Sequence, residues 1–295
     1  MKKEKIKTIT GWIAFVLSLI IASAWAFWGA IENFHEGWYF DSLIKNIGLM
    51  FIQYASPMLL FVLLTLLAIW KNRVGAVLYI VLGIIIYTQV NIRNLFFLTP
   101  FFLFAFLFWF GIIKNKKLAY RLIIFIPLII YTGFSIEPAI RVAGRVNDGD
   151  FGARIVEGNG VTLEWAPAGP GFPERGTDWY EAMRICSHLS EDGTQVMDSV
   201  QNIWRLPTVE EVIRSMTKHN KNCGGRLDPE IGNAVYDITP DKETPLWNPN
   251  SMVIYWWTST EVDSTKAYII VYDGKIWPKN KNNGPAYRGF RAVRD

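Results

Sequence analysis

Five apolar runs occupy the first half of the chain and restrict its fold more than any other feature. The first is free of charge from Thr8 to Ile31, the second from Asn46 to Trp70, the third from Val74 to Ile92 and the fourth from Asn94 to Ile113. A fifth extends from Leu118 to Ile136 when Arg121 snorkels to the interface. A helix needs about 20 residues to cross the hydrocarbon of a bilayer. The first four runs meet that length, whereas the strictly uncharged part of the fifth begins only at Leu122. Pro57, Pro100 and Pro127 are tolerated, because neighbouring helices re-satisfy the freed carbonyls. Core helices of a soluble protein carry a polar stripe, and these runs do not. The sequence therefore predicts a transmembrane domain over residues 1–136, with helices at about 9–31, 47–70, 74–92, 95–113 and 118–136. A linker over 137–160 and a soluble domain over 161–295 follow. The overall 51% hydrophobic content is the average of two unlike halves.

Loop charges orient the spans. A cytoplasmic N-terminus gives that side Lys2, Lys3, Lys5, Lys7, Lys71, Arg73, Lys114, Lys116, Lys117 and Arg121. The other side receives Lys45 and Arg93, with Glu32, Glu36 and Asp41. Cytoplasmic loops hold the excess of Lys and Arg. The expectation is a multi-pass protein of the cytoplasmic (inner) membrane, whose odd number of crossings places the C-terminal domain outside. Lys2 to Lys7, the first apolar run and Ala22–Ser23–Ala24 also resemble a secretory signal peptide. The run continues through Trp25, Phe27 and Trp28, so an uncleaved helix is the reading adopted. Cleavage would leave the C-terminal domain on the same side. The span interiors offer Gln53, Gln89 and hydroxyls, without a central carboxylate, His or Lys. Buried ionisable groups mark ion and proton pathways. The membrane half therefore reads as an anchor in the lipid bilayer, or a docking surface for membrane-protein partners.

From Arg141 onward the text changes character. Gly144, Gly149, Gly152, Gly158, Asn159 and Gly160 punctuate the linker. Val161 to Trp165 reads as a strand. Thr177 is positioned to cap a helix from Asp178 to about Ser190, whose apolar stripe is Trp179, Ala182, Met183, Cys186 and Leu189. Pro207, Thr208 and Glu211 spell a capping box before a helix burying Val209, Val212, Ile213 and Met216. Lys218 to about Ser251 is long, irregular and rich in Asn, Pro, Gly and Asp. Strands follow at Tyr255 to Thr260, Ala267 to Tyr272, Lys275 to Trp277 and Arg288 to Arg294, with Asp273–Gly274 as a hairpin turn.

VTLEW (Val161 to Trp165), the helix with Trp179, Ala182 and Cys186, WRLPTVEEV (Trp204 to Val212), YWWTST (Tyr255 to Thr260) and RGFRAVR (Arg288 to Arg294) occur in that order. Together they resemble the Lcl C-terminal-like domain, a family within the superfold shared by C-type lectins and formylglycine-generating enzymes. The resemblance covers roughly the last 135 residues and implies an α+β C-type-lectin-like domain there, following the all-α multi-pass membrane domain of about five helices read from the apolar runs. The order of helices and strands read above agrees with it independently.

The resemblance also limits the chemistry. Formylglycine-generating enzymes use a copper-binding cysteine pair near the end of the domain, and this chain has no cysteine after Cys223. Calcium-dependent lectins use Glu-Pro-Asn or Gln-Pro-Asp, followed by Trp-Asn-Asp. The nearest word here, Trp247–Asn248–Pro249–Asn250, lacks the charged ligand. Asp228, Glu230, Asp237, Asp241 and Glu243 read as a solvated acidic loop, with a calcium site as the alternative. Cys186 and Cys223 are open to three readings. They are a disulfide expected of an extracytoplasmic compartment, free buried thiols, or part of a metal site with His188 and His219. Cys186 and His188 lie on different helix faces, which argues against the last. No enzyme, cofactor or metal is expected. Lysines of the cytoplasmic loops account for the net charge of +4, so nucleic acid is not implied.

Aromatics beside Asn-rich text point instead to recognition. Trp247, Trp277 and Tyr287, with Asn248, Asn250 and Asn282, form the expected ligand-binding set: apolar platforms with orienting amides. Trp204, Trp256 and Trp257 are expected in the core. The sequence thus predicts a membrane-anchored recognition protein binding a glycan, cell-wall polymer or protein partner. The alternatives are a non-catalytic subunit of a membrane assembly and, third, a formylglycine-generating-type enzyme.

Overall fold

The computed structural model describes residues 2–35, 38–89 and 98–295. It divides into two units, Met1–Trp38 with Leu43–Ile140, and Tyr39–Ser42 with Arg141–Asp295.

The first unit is helical. Helix α1 spans Lys2–His35 and α2 spans Leu43–Leu49, which continues through a π-helical turn, Met50–Ala55, into α3, Ser56–Trp70. The turn widens just before Pro57, which has no N–H to close an ordinary helical bond. Helices α4 (Asn72–Gln89), α5 (Thr99–Phe110) and α6 (Lys116–Ala143) follow. Among the described residues, three helices are long and apolar enough to cross a membrane: α1, the continuous Leu43–Trp70, and α6. Asn72–Thr88 and Thr99–Phe110 are apolar but shorter. The expected span limits at residues 92 and 95, and Arg93, fall outside the described residues.

Small residues decide how these helices pack. The buried face of α1 carries Gly11, Ala14, Ser18, Ala22, Ala26, Gly29 and Ala30, a spacing of three to four that admits close backbone approach. A Cβ on Gly11 would sit 2.6 Å from the Ile112 carbonyl oxygen. Inside, the Tyr79 hydroxyl bonds to Ser18 at 3.2 Å and to Thr65 at 3.1 Å, tying α4 to α1 and α3. Outward, Ile13, Ile20, Ile52, Leu63, Phe106 and Ile129 are exposed, a surface suited to lipid rather than water.

The second unit holds two main sheets. In the first, β1 (Arg154–Gly158), β2 (Val161–Trp165) and β11 (Val293–Arg294) run antiparallel in the order β1-β2-β11. In the second, the order is β10 (Arg288–Gly289), β7 (Tyr255–Glu261), β8 (Lys266–Val271) and β9 (Ile276–Asn280). There β10 is parallel to β7, and the other pairs are antiparallel. Helices α7 (Trp179–His188) and α8 (Val209–Ser215) pack beside them.

Four local expectations are corrected. The end of the expected linker is strand β1, joined to β2 by Asn159 (φ 51°) and Gly160 (φ 79°), a hairpin turn needing left-handed backbone. The start of that linker is helical, because α6 continues to Ala143. Helix α7 is capped by Asp178, which accepts from the Glu181 N–H, and not by Thr177. The expected last strand breaks into β10 and β11, which join different sheets. The irregular insertion contains two small hairpins, β3 (Thr217–Lys218) with β4 (Lys221–Asn222), and β5 (Arg226–Asp228) with β6 (Asn233–Val235).

The core of this unit is built on tryptophan. Trp165, Trp204, Trp247, Trp256 and Trp257 are fully buried, with Trp256 between Trp247 and Trp165. Arg291 is 1% exposed and, among the described residues, forms no ion pair with a carboxylate. Its guanidinium donates to the carbonyls of Ala166 (2.8 Å), Pro245 (2.6 Å), Leu246 (2.8 Å) and Gly152 (3.3 Å), and it lies 4.3 Å from the Phe172 ring. One side chain thus holds four chain segments together.

Candidate functional site

Alternation along β7, β8 and β9 gives the sheet two faces. Trp256, Ile270 and Ile276 share one, and Tyr255, Ile269 and Trp277 the other. On the second face three rings meet. Tyr255 is 5.8 Å from Trp277 at 47° and 5.7 Å from Tyr287 at 71°. Tyr255 is nearly covered at 8% exposure, Tyr287 is 38% exposed, and Trp277 lies between. The Lys279 ammonium sits 5.5 Å from the Trp277 ring centroid.

The segment carrying Tyr287 is tied at many points. The Tyr287 carbonyl accepts from the N–H groups of Ile254 (2.9 Å) and Tyr255 (3.2 Å). Gly176 N–H donates to Ala286 O at 2.8 Å, and Trp179 N–H to Lys281 O at 3.0 Å. Arg288 Nη1 donates to Asn283 O at 2.7 Å. Buried Lys281 reaches Glu261 at 2.5 Å and lies over the Trp179 ring at 4.6 Å. Gly284 packs so closely on Thr177 and Asp178 that a Cβ would come within 2.3 Å of backbone. A platform held this way loses little entropy on binding.

Of the residues expected at the site, the structure joins Trp277 and Tyr287 through Tyr255, with exposed Asn282 in the intervening loop. Trp247 is corrected. It is 2% exposed and stacks on Trp256 at 3.7 Å and 10°, so no ligand reaches it. Asn248 accepts the Asn250 N–H at 2.9 Å, and the Asn250 amide donates to Asp41 at 2.6 Å, a residue of the same unit. Tyr255 and Lys279 were missed. The signal for Tyr255 was present, since alternation in YWWTST places it opposite Trp256.

The acidic loop is not wholly solvated, which corrects the expectation for Asp241 and Glu243. Asp241, 2% exposed, accepts from Arg141 (3.0 Å), from Arg145 (2.8 and 3.0 Å) and from the Lys242 N–H (2.7 Å). Burial pushes the Asp241 carboxyl up, but Arg145, Arg141 and that N–H outweigh it and hold it below the usual carboxylate range. Glu243, fully buried, accepts the N–H groups of Val146 (2.7 Å) and His219 (2.8 Å). Asp228 accepts the N–H groups of Glu230 and Ile231, and Asp237 pairs with Arg226 at 3.2 Å. Most of these oxygens already have partners. Among the described residues, no three His, Cys, Asp or Glu side chains gather as a metal site.

Cys186 and Cys223 are both buried and free, which corrects the disulfide. Cys186 lies on the core face of α7, where an apolar thiol packs well. Burial raises both thiols, that of Cys223 to about 11, so neither is a ready thiolate.

A second concavity, about 470 Å³, opens near the start of α8 and is walled by Val209, Leu227, Pro229, Tyr268 and Ile276. Its carboxylates are engaged, Glu210 with Arg214 and Asp228 with backbone, which leaves it mainly apolar. Among known proteins, residues 2–120 match the family DUF7670, a domain of unknown function. That match lies within the helical unit. No curated protein matches the chain.

Proposed function

We propose that the chain is a membrane-anchored recognition protein. In this reading the helical unit crosses the cytoplasmic membrane five times with its N-terminus in the cytoplasm. The second unit is a lectin-like domain outside, binding a glycan, cell-wall polymer or protein partner without catalysis. The observation that carries it is the platform of Tyr255 on β7, Trp277 on β9 and Tyr287 on a tied-down loop, edged by Asn280, Asn282 and Asn283. Apolar ring faces with neighbouring amides suit sugar rings and peptide surfaces. The family words at Val161–Trp165, Trp204–Val212, Tyr255–Thr260 and Arg288–Arg294 support the lectin-like assignment. Helix length and apolar outward faces support the membrane assignment.

The test is binding of the detergent-solubilised full chain to arrayed glycans and cell-wall fragments. Trp277→Ala and Tyr287→Ala should each weaken any hit by about 1–3 kcal/mol, and Tyr287→Ala, at an exposed ring, should leave the thermal midpoint in place. Unchanged binding in both variants would remove the platform. A fixed-stoichiometry complex with other membrane proteins, and no array hit, would favour the subunit reading.

A further inference from the structure

Basic residues that lie apart in sequence meet at one end of the helical unit. The Ile112 N–H donates to Lys7 O at 2.9 Å, the Asn72 amide to Gly111 O at 3.0 Å, and Lys116 Nζ to Trp70 O at 3.0 Å. These bonds bring the starts of α1, α4 and α6 and the ends of α3 and α5 to one level. Two tryptophans mark it. Lys71 Nζ lies 4.6 Å from the Trp70 ring, and Arg73 Cζ lies 5.6 Å from that of Trp109. Tryptophan beside Lys and Arg is the composition of a membrane–water interface. Glu4 is the single carboxylate in the segments that supply these bases, residues 2–7, 71–73 and 114–121. It pairs with Lys114 at 3.7 Å, with both side chains exposed.

At this level a hollow of about 630 Å³ is lined by Lys2, Glu4, Lys5, Thr8 and Lys114. The Thr8 hydroxyl already donates to Glu4 O at 3.0 Å, so the donors facing the hollow are the ammonium groups of Lys2 and Lys5, with that of Lys114 shared with Glu4. Along α1, Lys2 and Lys5 continue at helical spacing into Ile9, Ile13, Val16 and Ile20, all about half exposed. One helix face therefore reads cationic head, then apolar tail.

We propose that this hollow binds the headgroup of an anionic phospholipid, with its phosphodiester on Lys2, Lys5 and Lys114 and an acyl chain along the apolar face of α1. Charge sets the head and the isoleucine stripe sets the tail, which distinguishes a lipid from a free anion. The site is independent of whatever the second unit binds.

Native mass spectrometry of the full chain in neutral detergent tests it, with phosphatidylglycerol and phosphatidylcholine titrated in parallel. Phosphatidylglycerol should be retained preferentially, and excess inorganic phosphate should not displace it. Each lost lysine should cost about fivefold in affinity, equivalent to about 1 kcal/mol per charge. The triple variant Lys2→Gln, Lys5→Gln, Lys114→Gln should then fall on the order of a hundredfold for phosphatidylglycerol alone. Glu4→Gln, which removes the one repelling carboxylate, should strengthen binding. Equal retention of the two lipids, a triple variant that binds as the parent does, weaker binding by Glu4→Gln, or displacement by phosphate would each overturn the proposal.

Discussion

Trp247 offers the sharpest test of core against platform. Its ring is 2% exposed, lies 3.7 Å from Trp256 at 10°, and meets Tyr272 edge-on at 6.5 Å. Truncation to alanine removes that stack and leaves a cavity, at a cost of about 3–5 kcal/mol. At about 2–4 °C per kcal/mol for a unit of this size, the melting point should fall by about 6–20 °C. Among the described residues the indole N–H has no hydrogen-bond partner, so phenylalanine keeps a ring and removes that buried donor. Trp247→Phe should therefore cost less than about 1.5 kcal/mol. Near-ultraviolet circular dichroism of the full chain in detergent follows the packed tryptophans through the transition. A Trp247→Ala variant that melted with the parent and lost ligand binding would refute the burial reasoning and return the residue to the surface site.

Asp241→Asn should destabilise the second unit by about 3–5 kcal/mol, since it removes the buried carboxylate charge that pairs with Arg145 and Arg141. Because the folded carboxyl is held below its usual range, its contribution is complete above a pH of about 4 and fades as pH falls further. Urea midpoints of the parent should drop on acidification more than those of the variant. Thr208→Ala breaks the capping box, in which Thr208 Oγ1 accepts the Glu211 N–H at 3.2 Å and Glu211 accepts the Thr208 N–H at 2.7 Å. The loss should be about 1 kcal/mol by chemical denaturation. Cys186 and Cys223 should resist a maleimide in the folded chain and both react after denaturation without reductant; a requirement for reductant would establish the disulfide instead.

What was legible in sequence was local. The Thr208–Glu211 box closes within one helical turn, and the Asp273–Gly274 turn is the β8–β9 hairpin, with Gly274 at φ 88°. Strand β2 has the limits that VTLEW proposed. What failed depended on distant partners. Trp247 sits in Asn-rich text, and only the stack with Trp256 from β7 reveals it as core. Asp241 and Glu243 look solvated until Arg141, Arg145 and the Val146 N–H arrive from about 96 to 100 positions away. Strands β10 and β11 read as one because the sequence of Arg288 to Arg294 does not state that its two ends join different sheets. The platform was half legible: the exposed rings drew notice, while the central Tyr255 was hidden by its strand role.

The side of the membrane on which the second unit lies turns on a count that α4 and α5 cannot change. Among the described residues α4 has 18 residues, about 27 Å, and α5 has 12, about 18 Å, both short of about 20 residues. Yet α4 starts and α5 ends at the same basic level, since the Asn72 amide bonds to Gly111 O. Whether this pair crosses fully or re-enters, it contributes two crossings or none. If the three long helices each cross, as proposed above, the total is three or five, odd in both cases. If the ten basic residues hold their end in the cytoplasm, Ile140 must then emerge on the far side. A reporter fused after Asp295 that is active only in the cytoplasm would break this parity, and with it the extracytoplasmic placement of the platform. It would leave the lysine-lined hollow untouched, because that site depends on where charges gather and not on where the chain ends.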